Sequence, residues 1–143
     1  MTLRGYERGR CFLGRLPHRG DLLESLRALC QERGITMAVF TAIGAVKSAR
    51  LAFYHQEKRE YLPFQVDQAM EMVSCLGNVS LREGELVVHA HLALSDKEGR
   101  TISGHLLPGT TLFAGEVFLQ ELLGEPLVRG NDGETGLPLW EME

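Results

Sequence analysis

The stretch from Leu86 to Leu107 constrains this chain most, because it reads as two strands joined by a short turn with a definite register. Val88-His89-Ala90-His91-Leu92 is apolar apart from alternate histidines. Gly104-His105-Leu106 follows after the polar run Asp96-Lys97-Glu98-Gly99-Arg100. Successive strand side chains point to opposite faces, so His89 and His91 share one face and Ala90 takes the other. Gly99 can adopt a positive φ, which suits a hairpin turn. With Lys97-Glu98-Gly99 as the loop and Asp96 opposite Arg100, counting back along both strands sets His91 opposite His105. Directly opposed residues have Cβ atoms roughly 4.5–5.5 Å apart, so three imidazoles converge on one face. A change of one residue in the loop would turn His105 to the other face.

Neutral imidazole is the commonest protein metal ligand. A single histidine in an apolar strand is more often a core or interface residue with a satisfied ring nitrogen. Three that converge point instead to a shared polar site. Its uses are a divalent transition metal, zinc first among them, an anion pocket, a hydrogen-bonded subunit contact, or a catalytic base. Ligand imidazoles must be neutral, so metal binding is expected to weaken as pH falls through about 6.5.

The 143 residues suit a single domain spanning 1–143. Hydrophobic residues make up 44% and charged residues 24%, enough for one sizeable core. A net charge of −4 argues against coating nucleic acid by bulk electrostatics. No run of apolar residues is long enough to span a membrane, and Met1-Thr2-Leu3-Arg4-Gly5 lacks an apolar signal core. Cys11, Cys30 and Cys75 are odd in number and lack metal-type spacing, so they read as reduced, mostly buried thiols of a cytoplasmic protein.

Asp21 is a good N-cap with Glu24 three residues on, a capping-box arrangement. Leu22, Leu23, Leu26, Leu29 and Cys30 form one apolar helical stripe, and Gly34 suits the left-handed position after the helix. Beyond it the texture is β. Strands are expected over Ile35–Val46, broken by Gly44, and over Arg50–Tyr54. Glu60–Gln65 reads as a third, with Pro63 marking an edge. Ala69–Leu81 is strand-like with a bulge or bend at Gly77-Asn78. Leu86–Leu94, Thr101–Leu107 and the first half of Thr110–Leu123 complete the set. Val128–Leu139 reads as a loop. The fold class is therefore α+β, an antiparallel sheet with one main helix packed on it.

Several motifs in this order resemble the plant and prokaryote conserved (PPC) domain family. They are Gly14-Arg15-Leu16-Pro17, Ala42-Ile43-Gly44-Ala45-Val46, Leu51-Ala52-Phe53-Tyr54, and Glu71 through Ser80. His89 through Asp96, Gly104-His105-Leu106 and Asp132 through Leu137 continue the series. The resemblance implies a compact α+β domain assembling as a homotrimer, with His89, His91 and His105 as a metal site for which zinc is the usual suggestion. It also carries a DNA-binding label. The AT-hook that plant members use is missing here: Arg8-Gly9-Arg10 is followed by Cys11, not proline. Ser103 stands where many members have a second glycine.

Three function classes follow. The first, preferred, is a homotrimeric binding module whose histidines hold a metal or small ligand and whose surface recognises another macromolecule. The second is a metal-assisted hydrolase-like enzyme, in which Glu71 or Glu116 would serve as general base. The plainer role for either carboxylate is an edge or interface ion pair with Arg15 or Arg129. The third is a DNA-binding regulator using Arg4, Arg8, Arg10, Arg15 and Arg19. That region reads more simply as a solvated, flexible start of chain, so any DNA binding is expected to be weak and non-specific.

Overall fold

The computed structural model describes residues 2–142. In chain order the elements are β1 (Glu7–Leu16), α1 (Leu22–Glu32), β2 (Ala38–His55), β3 (Glu60–Val66) and β4 (Met70–Arg82). They continue with β5 (Glu85–Ser95), β6 (Thr101–Leu106), β7 (Thr111–Leu123), β8 (Arg129–Asn131) and β9 (Pro138–Trp140). The α+β expectation holds. Seven strands form one sheet in the order β1-β7-β2-β4-β5-β6, with β3 attached to β2. All their pairings are antiparallel.

The helix forms where its caps predict. The Asp21 carboxylate accepts from the Glu24 backbone N–H at 2.9 Å and, through its other oxygen, from Gly109 N–H at 2.6 Å. The reciprocal half of the capping box is replaced, since the Glu24 carboxylate turns to Arg27. Gly34 takes the left-handed conformation at φ 65°. Leu22, Leu26 and Cys30 bury against Ala90, Leu92 and Leu94 of β5 and the rest of the core. Each of the two fully buried leucines contributes about 1.5–3 kcal/mol.

The centre of the sheet is β2, which is one strand of 18 residues rather than the two expected. Gly44 does not break it. The register against β4 shifts between Ala42 and Gly44, and Gly44 at φ 148° passes so close to Ala114 that a Cβ would overlap its carbonyl. Past this point the C-terminal half of β2 pairs with β3 on one side and with β6 on the other. The pairings β2-β4-β5-β6-β2 thus close a circuit, which brings β3, β5 and β6 to one place.

Four further expectations are corrected. The basic N-terminal region is not a free arm: Glu7–Leu16 pairs with β7, satisfying its backbone. Gly77-Asn78 lies in regular register, and the β4 irregularity falls at Val73 instead. Gly77 is needed because a Cβ there would overlap the Phe40 ring and the His89 carbonyl. The strand character of Thr111–Leu123 runs to its end, since β7 is held by β1 and β2 together. The tail is not a loop: β8 and β9 form a small hairpin, anchored where Leu81 N–H donates to Leu127 O at 3.0 Å.

Cys11 is exposed, while Cys30 and Cys75 are buried thiols. Burial pushes Cys30 up to about 11 and Cys75 up to about 12, so neither is a nucleophile near neutral pH. No helix among the described residues is long and apolar enough to cross a membrane.

Candidate metal centre

The turn forms with the loop length that convergence requires. Asp96 N–H donates to Arg100 O and Gly99 N–H to Asp96 O, both at 3.0 Å. Ser95 then pairs with Thr101, and four steps back His91 stands directly opposite His105. His89 is two residues from His91 and opposite Asn78. Ala90, Leu92 and Leu94 take the core face, so the histidines are left on the other.

The three imidazoles form a triangle with ring centroids 5.1–5.6 Å apart. One ring nitrogen from each can be chosen so that all three lie within 4.8 Å of one another. The circuit in the sheet completes the surroundings. Ala52 of β2 is opposite His105, so Tyr54 falls on the same face and pairs with Tyr61 of β3. The Tyr61 ring lies 4.9 Å from Tyr54 and 4.7 Å from His105.

The tail hairpin supplies the remaining wall. Arg129 donates to Ser80 Oγ at 3.0 Å, to Pro138 O at 2.8 Å and to Asn78 Oδ1 at 2.7 Å. Its guanidinium lies over the Trp140 ring, 5.2 Å from the centroid. A fourth, longer contact of 3.4 Å runs to His89 Nδ1. A guanidinium only donates, so that nitrogen is the acceptor in this contact.

Burial and neighbouring charge keep two of the three rings uncharged. Burial, with Arg129 and the two neighbouring imidazoles, holds His89 down at about 4. Burial, then His91 and Arg129, does the same for His105. Both rings are therefore neutral at pH 7. Proton competition at these two positions is moved well below the pH of about 6.5 expected for free imidazole. Among the described residues the buried Nδ1 of His105 has no hydrogen-bond partner. An unpaired buried polar atom costs about 1–3 kcal/mol, so this nitrogen calls for a ligand. Three converging imidazole nitrogens, one of them orphaned, fit a divalent transition metal ion.

The other candidates fall elsewhere. Glu71, at the start of β4, is exposed in a separate depression beside Lys47 and Asp96. Glu116 is exposed directly opposite Arg15 on the open sheet face. Neither carboxylate lines the histidine cavity, so neither stands in position as a general base there. Arg129, considered only as a carboxylate partner, is the one that joins the histidines. Tyr54, Tyr61, Asn78 and Trp140 escaped sequence reasoning. The symmetric placing of Tyr54 and Tyr61 about the turn before Glu60 was the available signal.

Among solved structures, a metal-containing protein from Archaeoglobus fulgidus is 38% identical, with a TM-score of 0.94 and 99% of each chain covered. A plant- and prokaryote-conserved protein from Pyrococcus horikoshii is 37% identical, with a TM-score of 0.92, covering 100% of this chain and 99% of its own. A supposed DNA-binding protein from Ralstonia eutropha JMP134 is 26% identical at a TM-score of 0.80, covering 92% of this chain and 90% of its own. The bifunctional protein GlmU of Synechococcus sp. (strain JA-3-3Ab) is 30% identical over 118 residues, 81% of this chain. That match spans only 18% of the GlmU length. Residues 4–123 match the Plants and Prokaryotes Conserved (PCC) domain. With most of its length inside that match, the chain belongs to the Plants and Prokaryotes Conserved domain family.

Proposed function

We propose that this chain is a metal-binding module in which His89, His91 and His105 hold one divalent transition metal ion, zinc in the first instance. The observation that carries this reading is the convergence of three imidazoles, with the buried Nδ1 of His105 lacking any other partner among the described residues. The metal-containing relative from Archaeoglobus fulgidus supports it. An ion bound by three imidazoles supplies a Lewis-acid centre with an open position. This chain's residues do the positioning. The β5–β6 register fixes His91 against His105, Asn78 faces His89, and Tyr61 covers His105. Among the described residues no Asp or Glu lines the cavity, which favours binding over hydrolysis.

The test is zinc titration against a competing chelator for the wild type, His89→Ala, His91→Ala and His105→Ala. Each variant should lose at least about tenfold in affinity. Equal affinity in all four proteins would remove the metal reading.

The module is further proposed to be a homotrimer. The open sheet face exposes Leu13, Ile43, Leu76 and Phe118, and across it the register runs Leu13–Phe118–Thr41–Leu76–His91. Burying that row between copies would remove an apolar patch from water. The family resemblance supplies the number three. Light scattering at micromolar concentration should give three times the chain mass, and a monomer mass would end this part of the proposal.

DNA is not the partner this surface favours, although the relative from Ralstonia eutropha carries that description. Arg10 is held by Glu121, Arg4 by Glu125, and Arg15 faces Glu116. These are arginines that a phosphate backbone would need.

A further inference from the structure

The histidine cavity is far larger than an ion. It has a volume of about 540 Å³ and is lined on its remaining sides by Phe53, Tyr54, Tyr61, Leu137 and Leu139. A space of this size, apolar and aromatic with a few convergent polar groups, suits a small organic molecule. The charge inside it selects among such molecules. Arg129 is only 7% exposed, yet all its partners are neutral: a hydroxyl, a carbonyl, an amide oxygen and an imidazole. Among the described residues no carboxylate lies within ion-pair distance of it. A guanidinium has five N–H donors, and three of them are taken by close bonds. A buried cation with neutral partners and donors to spare normally indicates a counter-charge supplied from outside the chain.

Resting on the reading of the histidines as a metal site, we propose that the cavity binds a small organic carboxylate. Its anionic group would take the position beside Arg129 and the ion, and its apolar or aromatic body would lie against Tyr54, Tyr61 and Leu139. The ion and Arg129 would together bring three positive charges into a cavity whose lining, among the described residues, has no acid. A carboxylate answers that charge. A bare inorganic anion would answer it too but would leave the aromatic walls in contact with water.

The experiment uses the full chain loaded with zinc and benzoate as the probe, followed by isothermal titration. The emission of Trp140, the chain's only tryptophan and the ring beneath Arg129, gives a second readout. Benzoate should bind at least about tenfold more tightly than neutral benzamide and than inorganic phosphate. Arg129→Gln should abolish the preference for benzoate over benzamide. Because that variant also disturbs the tail, Tyr61→Ala is the companion: it should weaken benzoate and leave acetate unchanged. Benzamide or phosphate binding as well as benzoate would overturn the proposal, as would indifference of benzoate to both substitutions. Zinc affinity is measured separately. Zinc bound by the histidines without any benzoate binding would overturn the carboxylate site alone. Failure of zinc itself to bind would overturn the metal reading, and this inference with it.

Discussion

Arg10 and Arg129 tie the two ends of the chain to the sheet in opposite ways. Arg10 of β1 grips the Glu121 carboxylate through Nε at 2.7 Å and Nη2 at 2.8 Å, and its own backbone N–H donates to the same group at 2.9 Å. Its side chain is still 52% exposed. Arg129 of β8 is far more buried and, among the described residues, has no carboxylate within ion-pair distance. If compensation of charge were only a matter of stability, the more buried cation would have the acid, because desolvation is more severe there. The reverse arrangement separates a structural ion pair from a site that keeps a charge in reserve.

The largest effect that should sharpen this contrast is Arg129→Met. It leaves Asn78 and Pro138 without their donor, leaves Ser80 with only the Trp140 indole N–H, and frees the hairpin that walls the cavity. A loss of about 2–4 kcal/mol is expected in urea denaturation. It also removes a cation that depresses His89 and His105, so both imidazoles should titrate at higher pH in histidine NMR. Glu121→Gln should cost less, about 1–2 kcal/mol, because water reaches Arg10 and partly replaces the bond. Equal losses in the two variants would break the distinction drawn between the sites.

The smallest effect is on pH dependence, where the two sites should separate. Below 6.5 the unfolded imidazoles of His89 and His105 take up protons that the folded rings refuse until about 4. Stability is therefore lost as pH falls across that window, by roughly 1 kcal/mol for each ring once solvent screening is allowed for. Glu121 behaves in a lower window. Its hydrogen bonds from Arg10 hold it down at about 2, so its contribution is present above its ordinary 4.5 and is lost as pH falls towards 2. His89→Phe should partly flatten the first window, with His105 keeping its share, and leave the second. The same flattening in Glu121→Gln would show that the windows are not separate.

The histidine triangle was legible because everything that sets it is local. The turn is closed by Asp96 and Arg100, and strand parity does the rest. The helix was legible for the same reason, in Asp21, its stripe and Gly34. What escaped depends on partners distant in sequence. Arg129 meets Asn78 and Ser80 across about fifty residues, and no spacing rule announces that meeting. The tail is rich in Gly, Asp and Thr, which is loop chemistry, and only docking on β4 makes it a hairpin. At Gly77 a glycine in a strand suggested a bulge, whereas the Phe40 ring is what requires it. At Glu7–Leu16 the charged residues of an edge strand concealed its strand period. Gly44 looked like a break because its positive φ is invisible in a sequence.

The long strand β2 has a kinetic consequence. It is paired with β3, β4, β6 and β7, so nearly every part of the sheet is fastened to it. Two of those partners are near in sequence and two are far. The hairpin with β3 can zip early, while the pairing with β7 must close a loop of some seventy residues before it gives anything back. Folding should therefore be slow for a chain of this length and should finish with the arrival of β7. In the folded protein the reverse holds. No neighbour can peel away and expose the middle of β2 while the others stay in place, so its amide protons should exchange with solvent only when the whole domain unfolds.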